Sequence, residues 1–139
     1  MVEQIIRRPP GVVSAYASDP SNAPEWYSNI SEVEWKTAPP VRVGSEVAFV
    51  AHFMRRELRY TYEVVEHTAQ SLVMRTAAGP FPMETTYQYE ETPEGHTRMT
   101  LRNRGTPTGF SRVAAPLVRS AMRRANRKDL EALKQRLEA

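Results

Sequence analysis

Between Val47 and Asn103 apolar and polar residues alternate through successive short segments, and this period of two limits the fold more tightly than any other feature of the chain. One set of alternating positions runs Val47, Phe49, Ala51, Phe53, then Leu58, Tyr60, Tyr62, Val64, then Leu72, Met74, Thr76. It continues through Phe81, Met83, Thr85, Tyr87, Tyr89 and ends on Thr97, Met99, Leu101, Asn103. None of these residues is Asp, Glu, His, Lys or Arg. The positions between them carry Glu46, Glu57, Arg59, Glu63, Arg75, Glu84, Glu90, Arg98, Arg102 and Arg104. The pattern predicts five antiparallel strands with one dry face and one wet face. A turn at Arg55-Arg56 would pair Phe53 with Leu58, Ala51 with Tyr60, Phe49 with Tyr62 and Val47 with Val64. A slip of one residue would bury Glu57, Arg59 and Glu63 together, at a cost of several kcal/mol for each unpaired ion. Pro93, Glu94 and Gly95 supply the turn between the last two strands.

Ahead of this meander, Met1 to Arg7 alternates weakly and reads as a first strand closed by Pro9-Pro10, neither of which can donate to a ladder. A short helix is expected from Gly11 to Ala17. Asp19-Pro20 stops it, and Ser21 or Asn22 can cap a second helical turn through Pro24-Glu25-Trp26-Tyr27. Val33 and Trp35 alternate with Glu32, Glu34 and Lys36 as a half-buried strand ended by Pro39-Pro40, and Gly44 opens the next. From Ser111 to Leu137 the period becomes helical, with a stripe of Val113, Ala114, Leu117, Ala121, Ala125, Leu130, Leu133 and Leu137 suited to covering the dry face of the sheet. Pro116 interrupts the pattern, and a break near Ala115 would place it in the first turn of the long helix.

At 139 residues the chain fits a single domain spanning 1–139, long enough to bury roughly two thirds of its unfolded surface. It has no cysteine, and His52, His67 and His96 are too scattered for metal-ligand spacing, so neither a metal nor another cofactor is expected. No segment reads as a signal peptide or a membrane span, and a cytoplasmic protein is expected. The net charge of +3 is unevenly spread, with Arg119, Arg123, Arg124, Arg127 and Lys128 crowded on the closing helix. Such a cluster suits an anionic surface or nucleic acid, but no aromatic residues interleave it, and a solvated helix face accounts for it better.

The order of elements, together with SDPSNAPEWYSNI, TYEVVE, the run from Gly79 to Glu90 and the terminal RRANRKDLEALKQRLE, resembles the SRPBCC superfamily, and within it the bacterial polyketide cyclase/dehydrase-like branch. The resemblance spans essentially the whole chain. It implies an α+β helix-grip fold, a curved seven-stranded antiparallel sheet wrapped around a long C-terminal helix, with two short helices between the first two strands and a cavity between sheet and helix. Members of the superfamily include aromatase/cyclases and lipid or sterol carriers, so the fold alone does not select an activity.

No catalytic motif of a cyclase transfers position by position, and the site is therefore nominated from the residues. A cavity between sheet and helix would be lined by Phe49, Tyr60, Tyr62, Met74, Met83, Tyr87, Met99 and Asn103, with Trp26 and Tyr27 at one mouth and Phe110, Leu117 and Ala121 from the closing segment. Each has an alternative as ordinary core: methionine fills irregular gaps in any domain, and Trp26 serves equally as a gate or as a plug holding the small helices on the sheet. The tyrosines and the lone inward amide of Asn103 need partners, which a wet cavity supplies. His52 shares the outer face with Arg59 and is a poor catalytic base. Arg75 and Glu84 also fall outside, unless a bulge near Gly79-Pro80 brings them to the rim.

Two functions remain open. One is binding of a hydrophobic small molecule, as a carrier or sensor. The other is cyclisation or dehydration of a polyketide-like carbonyl compound, with Tyr60, Tyr62, Tyr87 and Asn103 as catalytic candidates stabilising a developing enolate. The strands offer no inward ionisable group, and that favours binding over general acid–base catalysis.

Overall fold

The computed structural model describes residues 1–105 and 115–139 of the chain. Seven strands form one antiparallel sheet: β1 (Val2–Ile6), β2 (Ile30–Trp35), β3 (Glu46–Phe53), β4 (Arg56–His67), β5 (Ser71–Ala78), β6 (Met83–Glu91) and β7 (Thr97–Gly105). Their order is β1-β7-β6-β5-β4-β3-β2, a meander from β2 to β7 with β1 added along β7. Helix α1 (Pro10–Ala17), a 3-10 turn (Pro20–Asn22) and α2 (Ala23–Trp26) lie between β1 and β2, and the long helix α3 (Ala115–Glu138) closes the chain.

The alternation holds throughout: every inner-face residue named above is buried or half-buried. The pairing of β3 with β4 differs from the sequence expectation by two residues. Phe53 lies opposite Arg56, Ala51 opposite Leu58, Phe49 opposite Tyr60 and Val47 opposite Tyr62. Met54 and Arg55 form the turn, with φ of 51° and 66°, the left-handed pair that a two-residue type I′ hairpin requires. A shift of two preserves both faces, and it converts Arg56 from a turn residue into the first residue of β4. Irregularities in β4 at Thr61/Tyr62 and Val64/Glu66 bend the long strand and help curve the sheet around α3.

The small helices are set by their prolines. Pro10 and Pro24 occupy the opening positions of α1 and α2, where a missing N–H costs nothing. Asp19 caps the 3-10 turn, its carboxylate accepting from the Ser21 N–H at 3.0 Å, and Asn22 stands at the N-cap of α2 as expected but makes no side-chain capping bond there. The Asn22 amide donates back to the Tyr16 carbonyl instead. Phe81 is buried but belongs to the β5–β6 connection rather than to β6.

Pro116 does fall in the first turn of α3, and this 24-residue helix runs about 36 Å across the concave face. Leu130 and Leu133 are fully enclosed against the sheet. Leu117, assigned by its period to the covered stripe, is instead 68 % exposed. The face turned to the sheet includes Val118, Asn126, Asp129, Leu130 and Leu133, a series at helical spacing that contains two polar residues. Val113 and Ala114 lie outside the described residues. The C-terminal end of α3 is fastened by Glu138, which accepts from the Arg7 backbone N–H and guanidinium and from Lys134.

Candidate functional site

The curved sheet, the small helices and the middle turns of α3 enclose a cavity of about 110 Å³. Its walls are chiefly apolar and aromatic: Phe49 and Ala51 from β3, Leu58, Tyr60 and Tyr62 from β4, Leu72 and Met74 from β5, Met83 and Tyr87 from β6, and Met122 and Ala125 from α3. Phe49, Tyr60 and Tyr62 form a ring cluster, with Tyr60 5.5 Å from Phe49 and 5.0 Å from Tyr62 between centroids. Gly79 permits the β5–β6 connection to lie against this cluster, since a Cβ there would sit 3.0 Å from the Tyr60 Cβ. Dispersion and desolvation of such walls favour an apolar occupant.

A chain of polar contacts crosses one wall. Thr85 Oγ1 donates to Asn103 Oδ1 at 2.6 Å, and Asn103 Nδ2 donates to Asn126 Oδ1 on α3 at 2.9 Å. The Tyr62 hydroxyl lies 2.8 Å from Thr85 Oγ1. A threonine hydroxyl has one proton, so with that proton on Asn103 it is Tyr62 that donates to Thr85, and the Tyr62 oxygen keeps its lone pairs free to accept. Tyr27 and Tyr87 bond to each other at 2.6 Å. The Tyr60 hydroxyl makes no hydrogen bond among the described residues, although burial holds the side chain well above the usual tyrosine pKa. Burial likewise pushes Tyr62 up to about 12, against the pull of its bond to Thr85. These phenols are neutral near pH 7 and act as hydrogen-bonding groups, not as bases.

The ionisable groups come from positions the strand pattern did not nominate. Asp129 lines the cavity and is 1 % exposed. Burial raises its pKa, opposed by two bonds into Oδ1 from the Ser28 N–H at 3.1 Å and Oγ at 3.2 Å. Arg56 and Arg104 border the cavity where it opens to solvent. The absence of inward ionisable groups therefore holds for the strand positions first aligned but not for the cavity. The shifted hairpin register brings Arg56 in, and α3 supplies Asp129. Asn29, Asn126, Ser18 and Met122 are further lining residues without a strand-period signal.

Of the residues nominated from sequence, Phe49, Tyr60, Tyr62, Met74, Met83, Tyr87 and Asn103 line the cavity, as does Tyr27. Met99 does not; it is 0 % exposed and belongs to the packed core. Trp26 is also set behind the wall, with its ring 4.2 Å from Tyr27 and 5.7 Å from Tyr87, so it plugs the small helices onto the sheet rather than gating a mouth. Leu117 points to solvent, and half-buried Ala121 is not among the lining residues, because the covered face of α3 is rotated toward Val118 and Met122. Phe110 lies outside the described residues. His52 is exposed, and Arg75 pairs with Glu84 at 2.7 Å on the outer face, away from the rim. Arg119, Arg123, Arg124, Arg127 and Lys128 are all exposed on α3. Among the described residues no three His, Cys, Asp or Glu are gathered as a metal site requires, and no helix is long and apolar enough to cross a membrane.

A curved antiparallel sheet gripping a long C-terminal helix around a largely apolar cavity defines the helix-grip, START-like class. Within the SRPBCC superfamily that has this fold, the chain belongs to the polyketide cyclase / dehydrase and lipid transport family, whose sequence model matches residues 1–138. Solved structures agree on the fold. TTHA0849 from Thermus thermophilus superposes with a TM-score of 0.81 at 21 % identity, over 98 % of this chain and 94 % of that one. The Zhui aromatase/cyclase from Streptomyces sp. R1128 gives 0.80 at 12 % identity, over 99 % and 91 %. A START superfamily protein from Mycobacterium smegmatis gives 0.78 at 13 % identity, over 99 % and 94 %. No curated protein matches the sequence.

Proposed function

We propose that the protein binds a hydrophobic small molecule in the cavity between sheet and α3. The observation that carries this reading is the cavity itself: about 110 Å³ walled by aromatic and methionine side chains, with the Tyr60 hydroxyl left without a protein partner among the described residues. A purely structural core would close such a space, since an unfilled void forfeits dispersion contacts. Membership of a family described by lipid transport as well as by cyclase and dehydrase chemistry supports the same reading. The test is a thermal-shift screen against apolar small molecules, repeated on Ala51→Phe, which fills the cavity from β3. Stabilisation of the wild type that disappears in the filled variant is expected; equal shifts in both would refute cavity binding.

A second reading, cyclisation or dehydration of a polyketide-like carbonyl compound, is favoured by Asp129. A cavity carboxyl with a raised pKa is suited to moving a proton, and the neutral Tyr60 hydroxyl is suited to donating to a developing enolate oxygen. Under this reading Tyr60→Phe lowers kcat by more than it weakens substrate affinity; a binding protein loses affinity alone.

A further inference from the structure

The hydrogen-bonding groups of the cavity are distributed unevenly. Where Ser28 and Asn29, just after α2, meet α3, a carboxylate oxygen and an amide oxygen are left without donors among the described residues. Asp129 Oδ1 takes both bonds from Ser28, and Oδ2 has no donor among the described residues. Asn29 Oδ1 is buried and also lacks a partner among the described residues. Both side chains line the same cavity. An acceptor oxygen withdrawn from water costs free energy until a donor reaches it, and folded proteins leave few such atoms unfilled.

We propose that Asp129 Oδ2, beside Asn29, forms an acceptor subsite that selects, among apolar ligands, those presenting a neutral hydroxyl to this part of the cavity. The inference rests on the ligand-binding reading above and specifies what the ligand must carry. An O–H donated to a carboxylate forms a short, charge-assisted bond. A ligand acid would be repelled by Asp129. A ligand ammonium would pass the guanidiniums of Arg56 and Arg104, which border the opening. A neutral hydroxyl meets neither obstacle.

Three probes of one shape separate the possibilities: 4-ethylphenol, which donates, 4-ethylanisole, which only accepts, and ethylbenzene, which does neither. Their dissociation constants are measured by NMR titration on the wild type and on Asp129→Asn, which keeps an oxygen for Ser28 and replaces the free acceptor with an amide donor. The expected result is phenol binding about tenfold or more tighter than the other two in the wild type, with the preference lost or reversed toward the anisole in Asp129→Asn. Comparison of the probes on the wild type alone keeps the proposal testable if the variant fails to fold. Equal binding of all three to the wild type would overturn the subsite while leaving cavity binding intact. Failure of all three to bind would overturn both.

Discussion

The hydroxyls of Tyr27 and Tyr87 meet at 2.6 Å in the interior, joining the end of α2 to the middle of β6. Burial raises both phenols well above the ordinary tyrosine pKa, so each stays neutral. The bond therefore docks the small helices onto the sheet beside the cavity. Removing one hydroxyl leaves the other buried without this partner, and Tyr87→Phe should destabilise the protein by about 1–3 kcal/mol. The double variant Tyr27→Phe/Tyr87→Phe should cost less than the sum of the singles, because both unpaired groups are then gone. Urea unfolding of the four proteins measures this; strict additivity would show that the two hydroxyls are not coupled.

Tyr60 offers the opposite case. Its hydroxyl has no partner among the described residues, while its ring packs on Phe49 and Tyr62. Tyr60→Phe should change stability by no more than about 0.5 kcal/mol. Acetophenone, whose carbonyl can accept from Tyr60, should bind about three- to tenfold more weakly to the variant. Calorimetric melting and NMR titration of the same samples check both halves; a large loss of stability would mean the hydroxyl is satisfied within the fold.

Asp129 should make stability depend on pH in the direction of an unfavourably buried carboxylate. Its pKa is raised in the folded state by burial, from an ordinary value of 3.8. The folded protein thus binds the proton more tightly, and the associated stability is full below about pH 3.8 and lost as pH rises through the folded value. Asp129→Asn keeps an acceptor for Ser28 without the charge. Its melting temperature relative to the wild type should rise by about 2–4 °C between about pH 3 and pH 7. A relative fall over that range would show that the carboxylate is stabilising.

Glu138 should behave in the reverse sense. The Arg7 backbone N–H, the Lys134 ammonium and the Arg7 guanidinium hold it at about 2, below its ordinary 4.5. Its contribution is present above about pH 4.5 and is lost as pH falls through the folded value near 2. Glu138→Gln should melt about 2–5 °C below the wild type at pH 7, with the gap closing toward pH 2. A gap independent of pH would assign the loss to packing rather than charge.

The faces of the strands were legible because a period of two leaves little freedom once Glu57, Arg59 and Glu63 must stay wet. The same period concealed the hairpin register. Moving the turn from Arg55-Arg56 to Met54-Arg55 shifts pairing by two and leaves every face unchanged, and neither Met54 nor Arg55 carries the Asn or Gly signal of a type I′ turn. On α3, selecting apolar residues alone found Ala125, Leu130 and Leu133 but led astray at Leu117 and Ala121. Counting toward the N-terminus from Leu133 and Leu130 at intervals of three and four reaches Asp129, Asn126, Met122 and Val118, the side that faces the sheet. Its polar members were passed over because they are polar, and they include the buried carboxyl of Asp129 that lines the cavity. Asn103 could be singled out as the one amide on a dry face; Asn29 sits in a connection, where no periodicity marks it.

Native mass spectrometry of the protein purified from its own host, with organic extraction of the sample, tests cavity binding most directly. A one-to-one complex with an apolar molecule bearing a hydroxyl is expected, displaced or excluded in Ala51→Phe. A protein that is consistently empty, and whose melting temperature no hydrophobic compound shifts, would contradict cavity binding.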